Sequence, residues 1–218
     1  MMKFSAVFRP TTLFSLRASN STSSGAKSLF LPSPYAIKMA FISQAISLGG
    51  EDFYDDKKRF EIVRDAVITY SIKGYFCVNN CFIKIQKQRD NNPFISTVSF
   101  REYIFCDNDI EIIFEVKSHD DSAFLKKYLH KINYFGKRGC FFQFIRYNDN
   151  PSKSNVDIFD VKKLSSGVLQ EYDDFEKNLT FDSVNSYSEA RVKRKKGILV
   201  IPLRNVSSSK SYTNYEVF

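Results

Sequence analysis

Tryptophan is absent from this 218-residue chain, and histidine, cysteine, proline and glycine are scarce, at two, four, six and eight copies. Each shortage removes a class of protein. So little proline and glycine, set against 22 phenylalanines and 12 tyrosines, excludes a collagen-like, linker-like or disordered chain. Cys77, Cys81, Cys106 and Cys140 each lie in an apolar, strand-like run, without CxxC pairing and far from His119 and His130. That spacing argues against a zinc module and reads as buried free thiols in a reducing compartment. P-loop, G-x-S-x-G and H-E-x-x-H motifs are all missing, which removes the enzymes those motifs carry. No run reaches the roughly 18 apolar residues of a membrane span. The apolar part of "MMKFSAVFRP" is too short for a secretory signal. The chain is therefore expected to be cytoplasmic, with no membrane partner, metal or cofactor.

Charge is not scarce. The net charge is +8 and the pI near 9.2, which favours an anionic partner, nucleic acid or an acidic membrane surface, although many basic proteins bind neither. A hydrophobic content of 43% supports one good core with a small appendage.

The order of elements points to an α+β fold. "KFSAVF" alternates as a strand, with Phe4, Ala6 and Phe8 on one face. "ASNSTSSGAKS" is a polar, mobile loop. In "LPSPYAIKMAFISQAISLGG", Ser33 caps a helix and Pro34 suits its first turn. Ile37, Phe41, Ile42, Ala45 and Leu48 form its apolar stripe, and Gly49 and Gly50 end it. A shorter helix, "DDKKRFEIVRDA", precedes three β-rich runs. Asp107 and Asn108 turn the chain between the last two, and "RDNNPFI" is the tip of a long hairpin. A further helix buries Phe124, Leu125, Tyr128, Leu129 and Ile132, and Gly136 closes it in a left-handed conformation. "CFFQFIRY" follows as a strand; Phe142, Phe144 and Tyr147 do not share a face, so it should be buried centrally.

Residues 1–147 thus read β-α-(α)-β-β-α-β, the ferredoxin-like order and also that of the RNA-recognition motif. A small β-rich appendage occupies 148–218. Residues 148–190 carry four Lys/Arg against nine Asp/Glu, and 191–218 carry seven against one, so an acidic stretch precedes the run "RVKRKK".

Three basic places are candidates for binding. Lys137 and Arg138 sit between Gly136 and Gly139, either in an ordinary αβ turn or in a loop that lets backbone and cations approach a phosphate. At the helix start, Ser33 serves as cap or phosphate donor, Tyr35 as a stacking ring or surface residue, and Lys38 as a phosphate contact or solvated lysine. Along the hairpin arms lie Lys84, Lys87, Arg89 and Arg101, which either grip a nucleic-acid backbone or keep edge strands soluble. "RVKRKK" has the same two readings.

Taken in order, "KFSAVFRPTTLFSLR", "LFLPSPYAIKMAFISQAI", "FREYIF" and "YFGKRGCFFQF" resemble the fifth CRISPR-associated (Cas) protein family, part of the RAMP superfamily. The likeness covers roughly residues 3–147 and, loosely, the tail from Arg191. It implies an RRM-like domain, a β-hairpin thumb at about 84–101, and a role in antiviral defence as a subunit of a type I Cascade ribonucleoprotein. Such a subunit binds the five-prime handle of the guide RNA (crRNA), meets the backbone subunit through the thumb, and meets the large subunit and, indirectly, target DNA through another face. Carried over, the RNA contacts are Arg17, Ser33, Tyr35, Lys38, Lys84, Lys87, Arg89, Arg101, Gly136, Lys137, Arg138 and Gly139. Some relatives cut precursor RNA with a Tyr, Lys and His set, which has no matching motif here. The expectation is a non-catalytic subunit; the alternatives are a metal-independent endoribonuclease and a generic RRM-like RNA-binding protein.

Overall fold

Phe4, Ala6 and Phe8 alternate with Ser5 and Val7, and a strand turns such residues to opposite faces. The computed structural model describes residues 1–18, 21, 25–49, 53, 57–89, 92–184 and 193–218. Its elements are β1 (Met2–Pro10), β2 (Leu16–Arg17), β3 (Gly25–Ala26), β4 (Ser28–Leu29), α1 (Pro34–Ser47) and α2 (Lys57–Asp65). Then come β5 (Val67–Ser71), β6 (Tyr75–Arg89), β7 (Asn92–Cys106), β8 (Ile110–Val116), α3 (His119–Leu129) and β9 (Phe142–Asn148). The chain ends with β10 (Asp157–Ile158), β11 (Val168–Phe175), α4 (Phe181–Val184), β12 (Arg194–Ile201), β13 (Leu203–Ser208) and β14 (Tyr212–Val217). The fold is mixed α+β, and its strands pair antiparallel except for β3, which runs parallel to β7.

The central sheet has the order β5-β8-β1-β9, antiparallel throughout. Phe4 stacks on Phe114 at 5.2 Å and lies under the Lys126 ammonium of α3; Phe8 meets Phe135 edge-on at 5.1 Å. This face carries α3, with α1 beside it through Phe41, whose ring meets Phe124 and Tyr128 at 5.7 and 5.5 Å. Ser5 and Val7 face the other way yet are also buried. The segment after β9 covers them: the Ser5 hydroxyl and the Ser152 amide both donate to Oε1 of Glu111, and Asn155 exchanges side-chain hydrogen bonds with Ile72.

Three expectations are corrected. First, β9 is an edge strand and not a central one. A bulge opposite Val7 and Phe8 leaves Ile145 as the extra residue. Phe144 and Tyr147, which simple alternation separates, thereby reach the same inner face, 4.6 Å apart. Second, Gly136 is left-handed at φ 66°, but α3 ends at Leu129 and its cap is His130. Gly136 instead turns a tight loop in which Phe135 N donates to Cys140 O and Tyr134 bridges Phe141. Third, Leu48 is the exposed cap residue of α1, and Phe53 takes a place against Phe41. Of the thiols, Cys106 and Cys140 are buried and Cys77 and Cys81 only half-buried. Burial pushes the Cys106 thiol up to about 12. Gly50 and much of the polar loop (19, 20 and 22–24) lie outside the described residues.

The hairpin is longer than the 84–101 expected. Its arms, β6 and β7, pair from Phe76–Cys106 outward. Its base is widened by β14 on β6 and by β3 on β7, in the order β13-β14-β6-β7-β3. β10, β12 and β11 form a third sheet in that order. It is joined to the main core by Gln170, whose side chain behaves as a piece of strand. Gln170 Oε1 accepts from Phe30 N and Leu31 N at 2.6 and 3.1 Å, and Nε2 donates to Leu31 O at 3.1 Å, all in a buried setting. Replacing it leaves those backbone groups buried and unpaired. Gln170→Leu is expected to lower unfolding free energy by about 3 kcal/mol in urea denaturation; a change below about 0.5 kcal/mol would show that water replaces these bonds.

Candidate nucleic-acid interface

The start of α1 is set by its cap. Ser33 is extended at ψ 154°, and its Oγ accepts from Ala36 N at 3.2 Å. The first turn then carries Tyr35 to the wall of a cavity of about 340 Å³. Gly136, Tyr134 and Arg17 form a second wall; Glu171, Asp173 and Arg194 form a third. The Arg194 guanidinium lies over Tyr35, 4.0 Å from the ring centroid, and its Nη1 donates to Asp173 Oδ2 at 3.0 Å. Tyr35 is also buttressed edge-on by Phe175 at 5.3 Å. A planar cation over an aromatic ring, beside glycine backbone, suits a flat, partly anionic ligand.

Of the residues expected to bind, Arg17, Ser33, Tyr35 and Gly136 meet at this cavity. Lys137 and Arg138 stand exposed next to it, carried by a turn that needs left-handed backbone at Gly136 (φ 66°) and Gly139 (φ 101°). A Cβ on Gly136 would sit 3.5 Å from Leu16 Cδ2, so the turn rests on the strand that presents Arg17. That strand pairs Arg17 with Ser28; next to Ser28, exposed Lys27 precedes it, and Ala26 pairs with Arg101 of the hairpin. The loop, the helix entrance and the hairpin base are thereby linked through one short stretch of chain.

Two assignments change. Lys38 is 3% exposed and presents nothing to solvent. Its ammonium donates to Asp174 Oδ1 at 2.7 Å and to Arg64 O at 2.8 Å, and burial holds its pKa below the usual lysine value despite the Asp174 charge. Helical spacing, which put it on the same side as Ile42 and Ala45, was the available signal that it faces inward. Along the hairpin, exposed Lys84 and half-buried Lys87 point to opposite faces; Arg101 shares the Lys87 face, and its Nη1 donates to Phe100 O at 2.8 Å. The face with Lys84 also carries exposed Phe82 (77%), Phe94 and Val98, with the polar pair Gln86 and Ser96 among them. The Arg89 side chain, residues 90 and 91, and the first two residues of "RVKRKK" lie outside the described residues. Sequence reasoning did not single out Tyr134, Glu171, Asp173 or Arg194. Only Arg194 carried a signal, as one member of the basic run.

Two further arrangements bear on chemistry. His130, Tyr147 and Lys126 come together at the end of α3. The Tyr147 hydroxyl donates to Lys126 O at 2.7 Å and accepts from His130 N at 2.9 Å, while His130 Nδ1 lies 2.8 Å from the same carbonyl. Those contacts satisfy backbone groups left open where a helix ends. Burial pushes the Tyr147 hydroxyl well above the ordinary tyrosine range. No group of three His, Cys, Asp or Glu positioned to hold a metal occurs among the described residues, and no described helix is long and apolar enough to cross a membrane.

No family model matches the chain. A curated protein from Archaeoglobus fulgidus, the CRISPR-associated protein Cas5, is 28% identical over 189 residues, 81% of each chain. The chain is similar to this Cas5 protein. The resemblance read from its motifs holds. The crystal structure of a CRISPR protein from Archaeoglobus fulgidus also aligns with all of this chain and 92% of its own, at 13% identity and a TM-score of 0.47.

In this chain the buried Lys38 has a structural job. Lys38→Met removes one partner of an enclosed ion pair and leaves Asp174 partly desolvated. The expected result is a loss of about 2–3 kcal/mol of stability, with affinity for single-stranded RNA within about two-fold of the unmodified chain under conditions where the variant is folded. A large affinity loss with unchanged stability would return Lys38 to the surface of the binding site.

Proposed function

We propose that this chain is a non-catalytic RNA-binding subunit of a CRISPR effector complex of the type I Cascade kind, holding the five-prime handle of the guide RNA. The observation that carries the reading is the convergence of Arg17, Tyr35, Arg194 and Gly136 on one cavity of about 340 Å³, with exposed Lys137 and Arg138 following Gly136 in the same turn. In this reading the sheet β5-β8-β1-β9 with α1 and α3 is a ferredoxin-like, RRM-related domain, and β6–β7 is the thumb. Lys137 and Arg138 attract the RNA backbone, and the Tyr35–Arg194 pair offers a surface on which a base stacks. Relationship to a protein named Cas5 supports a CRISPR setting.

The generic RRM alternative fits less well. An RRM stacks bases on aromatic side chains of its open sheet face. Here Phe4 and Phe8 point at α3 and its neighbouring turn, and the opposite face is closed by the chain from Ser152 to Val156. An endoribonuclease reading would use His130, Tyr147 and Lys126. Their placement supports a helix closure instead, since the Tyr147 oxygen is engaged with backbone at 2.7 and 2.9 Å and its proton is held tightly.

The thumb assignment draws on the apolar strip of Phe82, Phe94 and Val98, which suits a protein neighbour better than solvent. Almost fully exposed Val161 and Leu164, on a turn fixed by Lys163 N donating to Asp160 O, offer a second protein-facing surface for the large subunit. Target DNA would be met only through that partner.

Charge reversal tests the RNA-binding role of the turn. Lys137→Glu with Arg138→Glu should weaken binding of a repeat-derived RNA and make the log K against log salt slope shallower by about 0.7 for each phosphate no longer neutralised. Run in EDTA, the unmodified chain should leave that RNA at full length. An unchanged slope removes the turn from the interface; products ending in a 2′,3′-cyclic phosphate make the chain an enzyme.

Removing residues 90–95 tests the thumb. The tip is remote from the core, so the thermal midpoint should move by less than about 2 °C, while co-purification with a neighbouring complex subunit should fall sharply. Normal recovery of the complex would refute the assignment.

A further inference from the structure

We infer that the cavity between α1, the Gly136 turn and β11 takes one unstacked base of the bound RNA and selects for a base with hydrogen-bond donors on its edge, guanine first. The inference rests on the RNA-binding reading and adds a selectivity to it. The cavity walls differ in chemistry. On α1, Ala36, Ala40 and Ser43 follow one another at helical spacing, with Met39 beside them, and make a shallow wall of small side chains. Such a wall admits a flat ring edge-on or face-on without steric conflict. At the start of the same helix Tyr35 lies under Arg194, 4.0 Å from ring centroid to guanidinium, and Asp173 holds that guanidinium in place. β11 adds two carboxylates, Asp173, which is paired with Arg194, and Glu171, which makes its part of the wall acidic; Arg17 and Gly136 complete the lining.

An acidic wall is a poor place for phosphate, whose oxygens it repels. Lys137 and Arg138 are not part of the lining, and the phosphates belong with them, outside the cavity. What remains for the cavity is the base. A carboxylate only accepts hydrogen bonds and has about four acceptor sites, so Glu171 can take a base edge while keeping a protein partner. Guanine presents two adjacent donors, N1–H and the N2 amine, which match the two oxygens of one carboxylate. Adenine and cytosine present one amine each. Uracil presents N3–H flanked by two carbonyl oxygens that face the carboxylate unfavourably. The predicted order of preference is guanine, then adenine and cytosine, then uracil.

The test uses the full chain and four labelled ten-nucleotide RNAs: oligouridylate alone and with a single central guanosine, adenosine or cytidine. Fluorescence anisotropy at fixed salt should show the guanosine oligomer binding about five-fold or more tighter than oligouridylate. Glu171→Gln, an exposed and nearly isosteric change, should erase the ranking while preserving the salt slope. Ala40→Phe, which fills the small-residue wall, should erase it too. If all four RNAs bind alike with a normal salt slope, base selection is refuted and RNA binding stands. If none binds, the RNA-binding reading and this inference fall together. Ranking retained in both folded variants would move the selection away from this cavity.

Discussion

The candidate site depends on a seam between parts of the chain more than a hundred residues apart. On one side is the segment that leads into α1; on the other is β11. Gln170 binds the backbone of Phe30 and Leu31, and Asp174, four residues on, binds Lys38 inside α1. The first contact is buried and the second is buried on its Lys38 side, where an unpaired polar group is costly and a paired one is therefore specific in position. They set the distance between Tyr35 and Arg194. Without the seam, the acidic and basic walls would belong to separate surfaces and no cavity would form.

The seam explains why the C-terminal third is not simply an addition to the first 147 residues. Phe175 packs on Tyr35 and on Phe60 of α2, and Phe181 packs on Phe53. β14 pairs with the base of the hairpin from Tyr75 to Asn79. A change in this region therefore acts on two elements at once: the wall of the cavity and the footing of the β6–β7 hairpin. Gly197 illustrates how close the fit is. A Cβ there would come within 2.4 Å of the Tyr172 ring, so only glycine lets β12 lie against that side chain.

Much of the main sheet was legible from the residues alone. Ser33 and Pro34 mark a helix start, the Phe4–Phe8 alternation marks a strand, and the Asp107–Asn108 turn separates two β runs, because each of these is a local preference. What failed was decided by long-range geometry. The bulge in β9 is invisible to a pattern that counts in twos, so Phe144 and Tyr147 read as opposite-facing when they are neighbours. Gly136 read as a helix cap because it is the first glycine after the helix, whereas Ile132 and Phe135 pack inward and postpone the turn. Lys38 read as a surface cation because lysine usually is one. Its partner Asp174 lies 136 positions away, and no local rule connects the two.

The same reasoning accounts for the acidic stretch in a chain of net charge +8. Carboxylates near a nucleic-acid site oppose binding through the phosphate backbone, so they reduce the sequence-independent part of affinity. Phosphate contacts position a nucleic acid and base contacts specify it. In the proposed reading, cations on an exposed turn and carboxylates inside an adjacent cavity separate those tasks in space. Asp173 is held by Arg194 and so contributes little net field, while Glu171 has acceptor sites to offer what enters. A uniformly basic surface of the same size would bind any RNA more tightly and discriminate less. The sign of charge changes between the Gly136–Gly139 turn and the Glu171 carboxylate of β11, and in the proposed reading that change is what tells a single nucleotide from its neighbours.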